Sequence, residues 1–189
     1  NDFVREGSPI YGPAPKKTIE THQKLINACR EKGVPIFFTQ FVRPPVKTIY
    51  REYMSHYVEP PHNICMRGLK RYYTDVKKEL ETIDIIEELS PKPEDFLISR
   101  PWYDSFVDSP LDSFLRALGK KYVIITGTTT DGCVEATARG AYFKQYYTTV
   151  VSDATSASAP EQHNFVLTLL SKRYVKVMTT DEVISELKK

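Results

Sequence analysis

Apolar and polar positions along this chain switch repeatedly between a helical and an extended period. One helical face carries Ile19, His22, Ile26 and Cys29 and ends near Lys32-Gly33; the run from Val34 to Val42 then reads as a strand. Ile83, Ile86 and Leu89 mark a helix closed by Pro91 and Pro93, followed by a strand from Phe96 to Ser99. Ser109-Pro110 opens a helix bearing Leu111, Phe114, Leu115 and Leu118. Tyr122 to Thr126 is a short β-branched run of the kind a parallel sheet buries on both faces, and Val134 to Tyr142 is an alanine-rich helix. Tyr147 to Ser152 (strand), Ser158 to Ser171 (helix, Pro160 in its first turn), Tyr174 to Met178 (strand) and a terminal helix capped by Thr180 complete the series. Such alternation predicts one α/β domain, a doubly wound and mostly parallel sheet with helices on both faces. Only Arg43 to Tyr73, with Pro44, Pro45, Pro60 and Pro61, breaks the rhythm and reads as a long functional loop or partial helix.

Composition narrows the class of partner. A length of 189 residues, with 26% charged and 41% hydrophobic positions, suits a single soluble domain. The net charge of +2 provides no basic stripe for nucleic acid, and no apolar run approaches membrane-spanning length. Cys29, Cys65 and Cys133 are odd in number and far apart, which argues against a disulfide framework and for a reducing, cytoplasmic compartment. No signal peptide is visible, although the chain begins at Asn1 instead of Met.

In sheets of this kind ligands gather at the carboxyl ends of the strands. Arg43, the segment Arg100-Pro-Trp-Tyr-Asp104 and the turn Thr128 to Cys133 all follow predicted strands, so they are expected to share a cleft. Cys133 stands at a helix start, where unpaired amides and the helix dipole favour a thiolate. It is either a nucleophile or an inert buried thiol. Gly127-x4-Gly132 has P-loop glycine spacing, but Cys133-Val134 stands where Lys and Ser or Thr are required. Cys133-x5-Arg139 has the spacing of a cysteine phosphatase, yet Val-Glu-Ala-Thr-Ala lacks glycine and places an acid where phosphate would sit.

The segment Val-Ile-Ile-Thr-Gly-Thr-Thr-Thr-Asp-Gly-Cys-Val-Glu-Ala-Thr-Ala-Arg resembles the nucleophile segment of the isochorismatase-like cysteine hydrolases, in their N-carbamoylsarcosine and ureidoacrylate amidohydrolase branch. Asn1-Asp2-Phe3, Arg100-Pro-Trp-Tyr-Asp-Ser-Phe, Asp153-Ala-Thr-Ser-Ala and Glu161-Gln-His163 are similar to the corresponding family segments. The resemblance implies a sheet of about six strands and hydrolysis of a C–N bond in a small amide, carbamoyl or ureido compound through a thioester on Cys133. It implies an oxyanion hole from the Thr129 and Cys133 amides and a cis peptide between Thr128 and Thr129. Arg100 matches the catalytic lysine of the family; it keeps the charge but exchanges protons poorly. The catalytic aspartate of the family falls upstream of Asn1, so the first strand is expected to be missing from a single, N-terminally incomplete domain.

No cofactor or metal is expected. After Phe38-Thr-Gln-Phe-Val42 the metal-binding Asp-x-His motif of nicotinamidase-type relatives does not appear, and His56, His62 and Cys65 are irregularly spaced. His22 and His163 read as hydrogen-bonded packing residues. Arg43, Trp102 and Tyr103 are expected around the mouth, suiting a planar substrate with a carboxylate; alternatively Arg43 is solvated and Trp102 packs a subunit contact. A homo-oligomer, dimer or tetramer, is expected. Vinyl-ether hydrolysis of isochorismate type and non-catalytic small-molecule binding remain as alternatives.

Overall fold

Strands and helices alternate along most of the computed structural model, which describes residues 1–43 and 62–188. Helices α1 (Pro13–Lys17) and α2 (Ile19–Glu31) precede strand β1 (Phe37–Phe41) and the hairpin β2 (Lys70–Tyr73) and β3 (Lys78–Glu81). A 3-10 turn (Glu87–Leu89), β4 (Phe96–Arg100), α3 (Leu111–Ala117) and β5 (Tyr122–Thr128) follow. A π-helical turn (Thr130–Val134) runs into α4 (Glu135–Phe143), and β6 (Tyr147–Ser156), α5 (Pro160–Arg173), β7 (Lys176–Met178) and α6 (Thr180–Leu187) close the chain.

Five of the described strands are parallel, in two hydrogen-bonded sets: β1 with β4, and β5-β6-β7 in that order. Their side chains alternate between two covered faces, as a doubly wound sheet requires. Val150 and Ile125 pack with Ala138 of α4 and Leu167 and Leu170 of α5. Their neighbours Val151 and Ile124 pack with Leu25 and Cys29 of α2 and Val183 of α6. A third cluster joins Ile98, Leu111, Leu115 and Ala141 to Phe37 and Val123. Each parallel set opens on a stacked aromatic rung: Phe37 lies opposite Phe96 at 4.4 Å between centroids, and Tyr122 opposite Tyr147 at 4.7 Å.

The α/β architecture agrees with the sequence pattern, but several elements differ. Among the described residues the five parallel strands lie in two hydrogen-bonded sets, with a cavity between β1 and β5, and the antiparallel hairpin forms a third set. The apolar triad Ile83, Ile86 and Leu89 does not form an α-helix. Ile83 is buried beside Phe41 and Ile64, and Ile86 is the extended residue before the 3-10 turn. Part of the predicted loop is the antiparallel hairpin, with Lys70 opposite Glu81; positions 44–61 of that loop lie outside the described residues. The cap of α6 is Thr179, not Thr180. Thr179 accepts from Glu182 N at 3.3 Å while the Glu182 carboxylate takes the Thr179 amide at 2.7 Å, a capping box. Thr180 is buried, and its hydroxyl donates to Asp153 at 2.9 Å.

The fully buried Asp2 carboxylate anchors the first residues to the hairpin. It accepts from Cys65 N at 3.0 Å, Arg71 Nε at 3.0 Å and the Tyr73 hydroxyl at 2.7 Å.

Helix α4 has no room for a side chain at Gly140, where a Cβ would stand 2.3 Å from Asp104 Oδ2. Gly140→Ala is therefore expected to destabilise the fold by about 1–3 kcal/mol in urea denaturation. Adding Asp104→Ala should recover part of that loss. Unchanged stability of the single variant would show that Asp104 moves aside without cost.

Candidate active site

The chain passes from β5 to α4 through a turn that the sequence packs tightly. Gly127 adopts φ 114°, a region closed to most side chains, and the Thr128–Thr129 peptide is cis. The Thr129 carbonyl accepts from both Gly132 N at 3.2 Å and Val134 N at 3.1 Å. A Cβ on Gly132 would meet Thr129 Oγ1 at 2.8 Å, so a side chain there fits only if the Thr129 hydroxyl turns aside. Cys133 lies inside this π-helical turn, buried, two residues before α4 begins.

One hydroxyl of the turn has a partner that sequence reasoning did not assign. Thr130 is fully buried, and its Oγ1 is 2.9 Å from Nδ1 of His163 on α5. His163 is thus hydrogen-bonded, as its position suggested, and the bond ties α5 to the cysteine turn. Burial lowers its pKa, partly offset by the Asp131 carboxylate. The signal in the sequence was only its position at the first turn of the helix after β6.

A cavity of about 680 Å³ runs along the whole of β5 between it and β1, from Lys32, Gly119 and Tyr122 at one end to Thr128 and Cys133 at the other. Its walls are largely apolar, but Thr39, Arg100, Ser105, Thr128, Cys133 and Thr137 give it polar groups. Thr137 Oγ1 accepts from Ser105 N at 3.0 Å, and Ser105 Oγ donates to Thr39 Oγ1 at 3.3 Å, linking α4 to β1. Arg100, at the end of β4, is 5% exposed and donates through Nη1 to the Trp102 carbonyl. Its guanidinium lies 5.8 Å from the centroid of the Phe41 ring.

The structure thus brings Arg100 and Cys133 to one cavity, together with the Thr128 end of the cis peptide. Arg43, Trp102 and Tyr103 do not line it. Arg43 is buried, donates to Met66 Sδ at 2.5 Å, and its amide bonds the Cys65 carbonyl at 2.9 Å. The Trp102 indole donates to Asp108 at 2.5 Å, and Tyr103 packs 6.0 Å from the Phe41 ring. The other thiols differ from Cys133 in setting. Burial, reinforced by Asp2, pushes the Cys65 thiol up to about 12, and burial also raises Cys29. His56 lies outside the described residues. Among the described residues no cluster of three His, Cys, Asp or Glu side chains is disposed to hold a metal, and no helix is long and apolar enough to cross a membrane.

Residues 1–182 match the family model described as the isochorismatase domain. The ureidoacrylate amidohydrolase RutB of Enterobacter sp. (strain 638) is 42% identical over 77 residues, covering 41% of this chain and 34% of that protein, so the match spans about a third of the curated relative. An isochorismatase-like hydrolase from Alkaliphilus metalliredigens superposes with a TM-score of 0.83 at 26% identity, over 98% of this chain and 93% of that one. A cysteine hydrolase from Pseudomonas syringae pv. phaseolicola 1448A gives 0.87 at 23% identity, over 99% and 87%, a likeness of fold.

The bond between Thr130 and His163 sets two expectations. Thr130→Val strands the imidazole Nδ1 and should cost about 1–2 kcal/mol, measured by thermal or urea unfolding. Because the folded pKa of His163 is lowered, the unfolded chain binds protons more readily, so stability falls as pH drops below about 6.5 toward the folded value. His163→Gln should flatten that slope, leaving the part due to His22, whose pKa burial also lowers. An identical slope in wild type and variant would remove His163 from the account.

Proposed function

The chain belongs to the isochorismatase domain family, and on that premise we propose that it hydrolyses a C–N bond of a small amide or ureido compound with Cys133 as nucleophile. The observation that carries this reading is the placement of Cys133 in the turn before α4, on the wall of the cavity that Arg100 also lines. The comparison with a ureidoacrylate amidohydrolase points to the same class of substrate.

In the proposed reaction the Cys133 thiolate attacks the carbonyl carbon, and the oxygen takes up negative charge facing the amides of Thr129 and Cys133. As that intermediate collapses the C–N bond breaks, the amine leaves with a proton, and a thioester remains. Water then adds to the thioester carbon, the C–S bond breaks, and the acid and free thiol are released. The partial positive charge at the start of α4 and the Arg100 guanidinium both favour the anionic species on this path. Arginine does not exchange protons near neutral pH, so Arg100 contributes charge, and the proton transfers belong to another group.

Limited iodoacetamide treatment near neutral pH, followed by mass-spectrometric mapping, should label Cys133 first and leave Cys29 and Cys65 unmodified. Preferential labelling of Cys65 would overturn the assignment. Against a panel of ureido acids and small amides, Cys133→Ala should lose turnover by about 1,000-fold or more, the scale on which losing a covalent nucleophile acts. Isochorismate-type vinyl-ether hydrolysis would survive that substitution, and a binding protein would show no turnover in either form. Arg100→Lys should preserve or raise turnover, whereas Arg100→Ala should lose most of it.

A further inference from the structure

The cysteine turn has two sides. Thr128 and Cys133 line the cavity, whereas Thr130, between them, does not. Thr130 is fully buried and meets α5 instead, its hydroxyl 2.9 Å from Nδ1 of His163. His163 is likewise absent from the cavity wall.

Side-chain tethers hold the turn on either side of Thr129. Thr128 Oγ1 donates to the Ser156 carbonyl at 3.2 Å and lies 3.0 Å from Ser156 Oγ. Thr130 is held through its hydroxyl by His163 and through its carbonyl by Glu135 N, the first residue of α4. Ser156 ends β6 and His163 stands in the first turn of α5, so one short stretch of chain supplies both side-chain anchors. Val134 also packs on α5, against Val166, Leu167 and Leu170. Apolar packing is non-directional, whereas a hydrogen bond has a preferred angle, so the Thr130–His163 bond adds direction to the contact between helix and turn.

Among the described residues Thr130 Oγ1 has no other hydrogen-bond partner. Without the imidazole a buried hydroxyl is left unpaired, which favours a shifted turn. An amide that stabilises an oxyanion works only at the point where the charge develops, and a displacement of about 1 Å can cost on the order of 100-fold.

We propose that His163, acting through Thr130, is a positioning residue for the reaction at Cys133 and holds the Thr129 N–H where the oxyanion forms. This rests on the reading of Cys133 as the nucleophile with the Thr129 amide in its oxyanion hole.

Two reagents separate the thiol from the amide. Iodoacetamide reacts by displacement: the C–S bond forms as iodide leaves, and no oxyanion develops. 4-Nitrophenyl acetate is attacked at its carbonyl carbon, the oxygen takes up negative charge, and the C–O bond then breaks to release 4-nitrophenolate and leave an acetyl thioester on Cys133. The thiolate attacks in both reactions, so the ratio of acylation to alkylation rate constants cancels any change in thiolate population. With the modified site confirmed by mass-spectrometric mapping, Thr130→Val and His163→Leu should lower that ratio about tenfold or more while alkylation stays within about threefold of wild type. Thr130→Ser keeps the hydroxyl and His163→Asn keeps a hydrogen-bonding group near the Nδ1 position, so both should retain most of the ratio. Thr130→Val preserves the shape of the side chain and decides the matter if His163→Leu fails to fold. An unchanged ratio in Thr130→Val, an equal loss of acylation and alkylation, or a loss in Thr130→Ser as large as in Thr130→Val would overturn the positioning role and leave Cys133 as the nucleophile. Wild-type protein in which neither reagent modifies Cys133 would instead overturn the underlying reading.

Discussion

The strand-to-helix junction at Thr128 to Glu135 constrains the rest of the site. The Thr129 carbonyl takes two amide donors, and a side chain at Gly132 would press on the Thr129 hydroxyl. Helix α4 then starts beside Cys133, and its Ala138 and Ala141 are buried without exposure against the clusters on that side of β5. Small residues there let the helix lie close to the sheet, with Cys133, Val134 and Thr137 on the wall of the cavity. Thr130 and His163 add a second tether from α5, which makes the position of the turn a property of two helices and a strand.

The parts of this arrangement legible in the sequence were those driven by apolar periodicity. The β-branched run at Tyr122 to Thr126 and the run Tyr147 to Ser152 read as strands, and β5 and β6 form there; Val150 and Val151 are fully buried, whereas β5 is only half-buried. The hairpin was not legible, because Lys70 to Tyr73 and Lys78 to Glu81 are mostly polar and only Tyr73 is deeply buried. Ile83, Ile86 and Leu89 carried a helical period that tertiary packing overrode, Ile83 being drawn under Phe41. Thr179 and Thr180 are adjacent candidates for one cap, and the choice between them was made by Asp153, which lies far away in the sequence.

Cations show a similar limit. Arg43 and Arg100 both follow strands, and nothing in their spacing separates a guanidinium held against Met66 from one on the wall of the cavity. Burial and partner decide the role of a charged group, and both arise from segments distant in sequence. The same holds for the thiols: Cys65 and Cys133 are alike as letters, yet Cys65 lies beside the buried Asp2 carboxylate and Cys133 at a helix start.

The stacked rungs Phe37 with Phe96 and Tyr122 with Tyr147 sit at the first register position of each parallel set, away from the end that carries Arg100 and Cys133. A one-residue slip within either set would break its stack and turn every following side chain of the slipped strand to the wrong face. Each stack therefore adds to the alignment of its strands at the end remote from Arg100 and Cys133. Loops at the other end are released from that duty, and their residues can be exchanged to suit a different substrate without shifting the frame that holds the thiol.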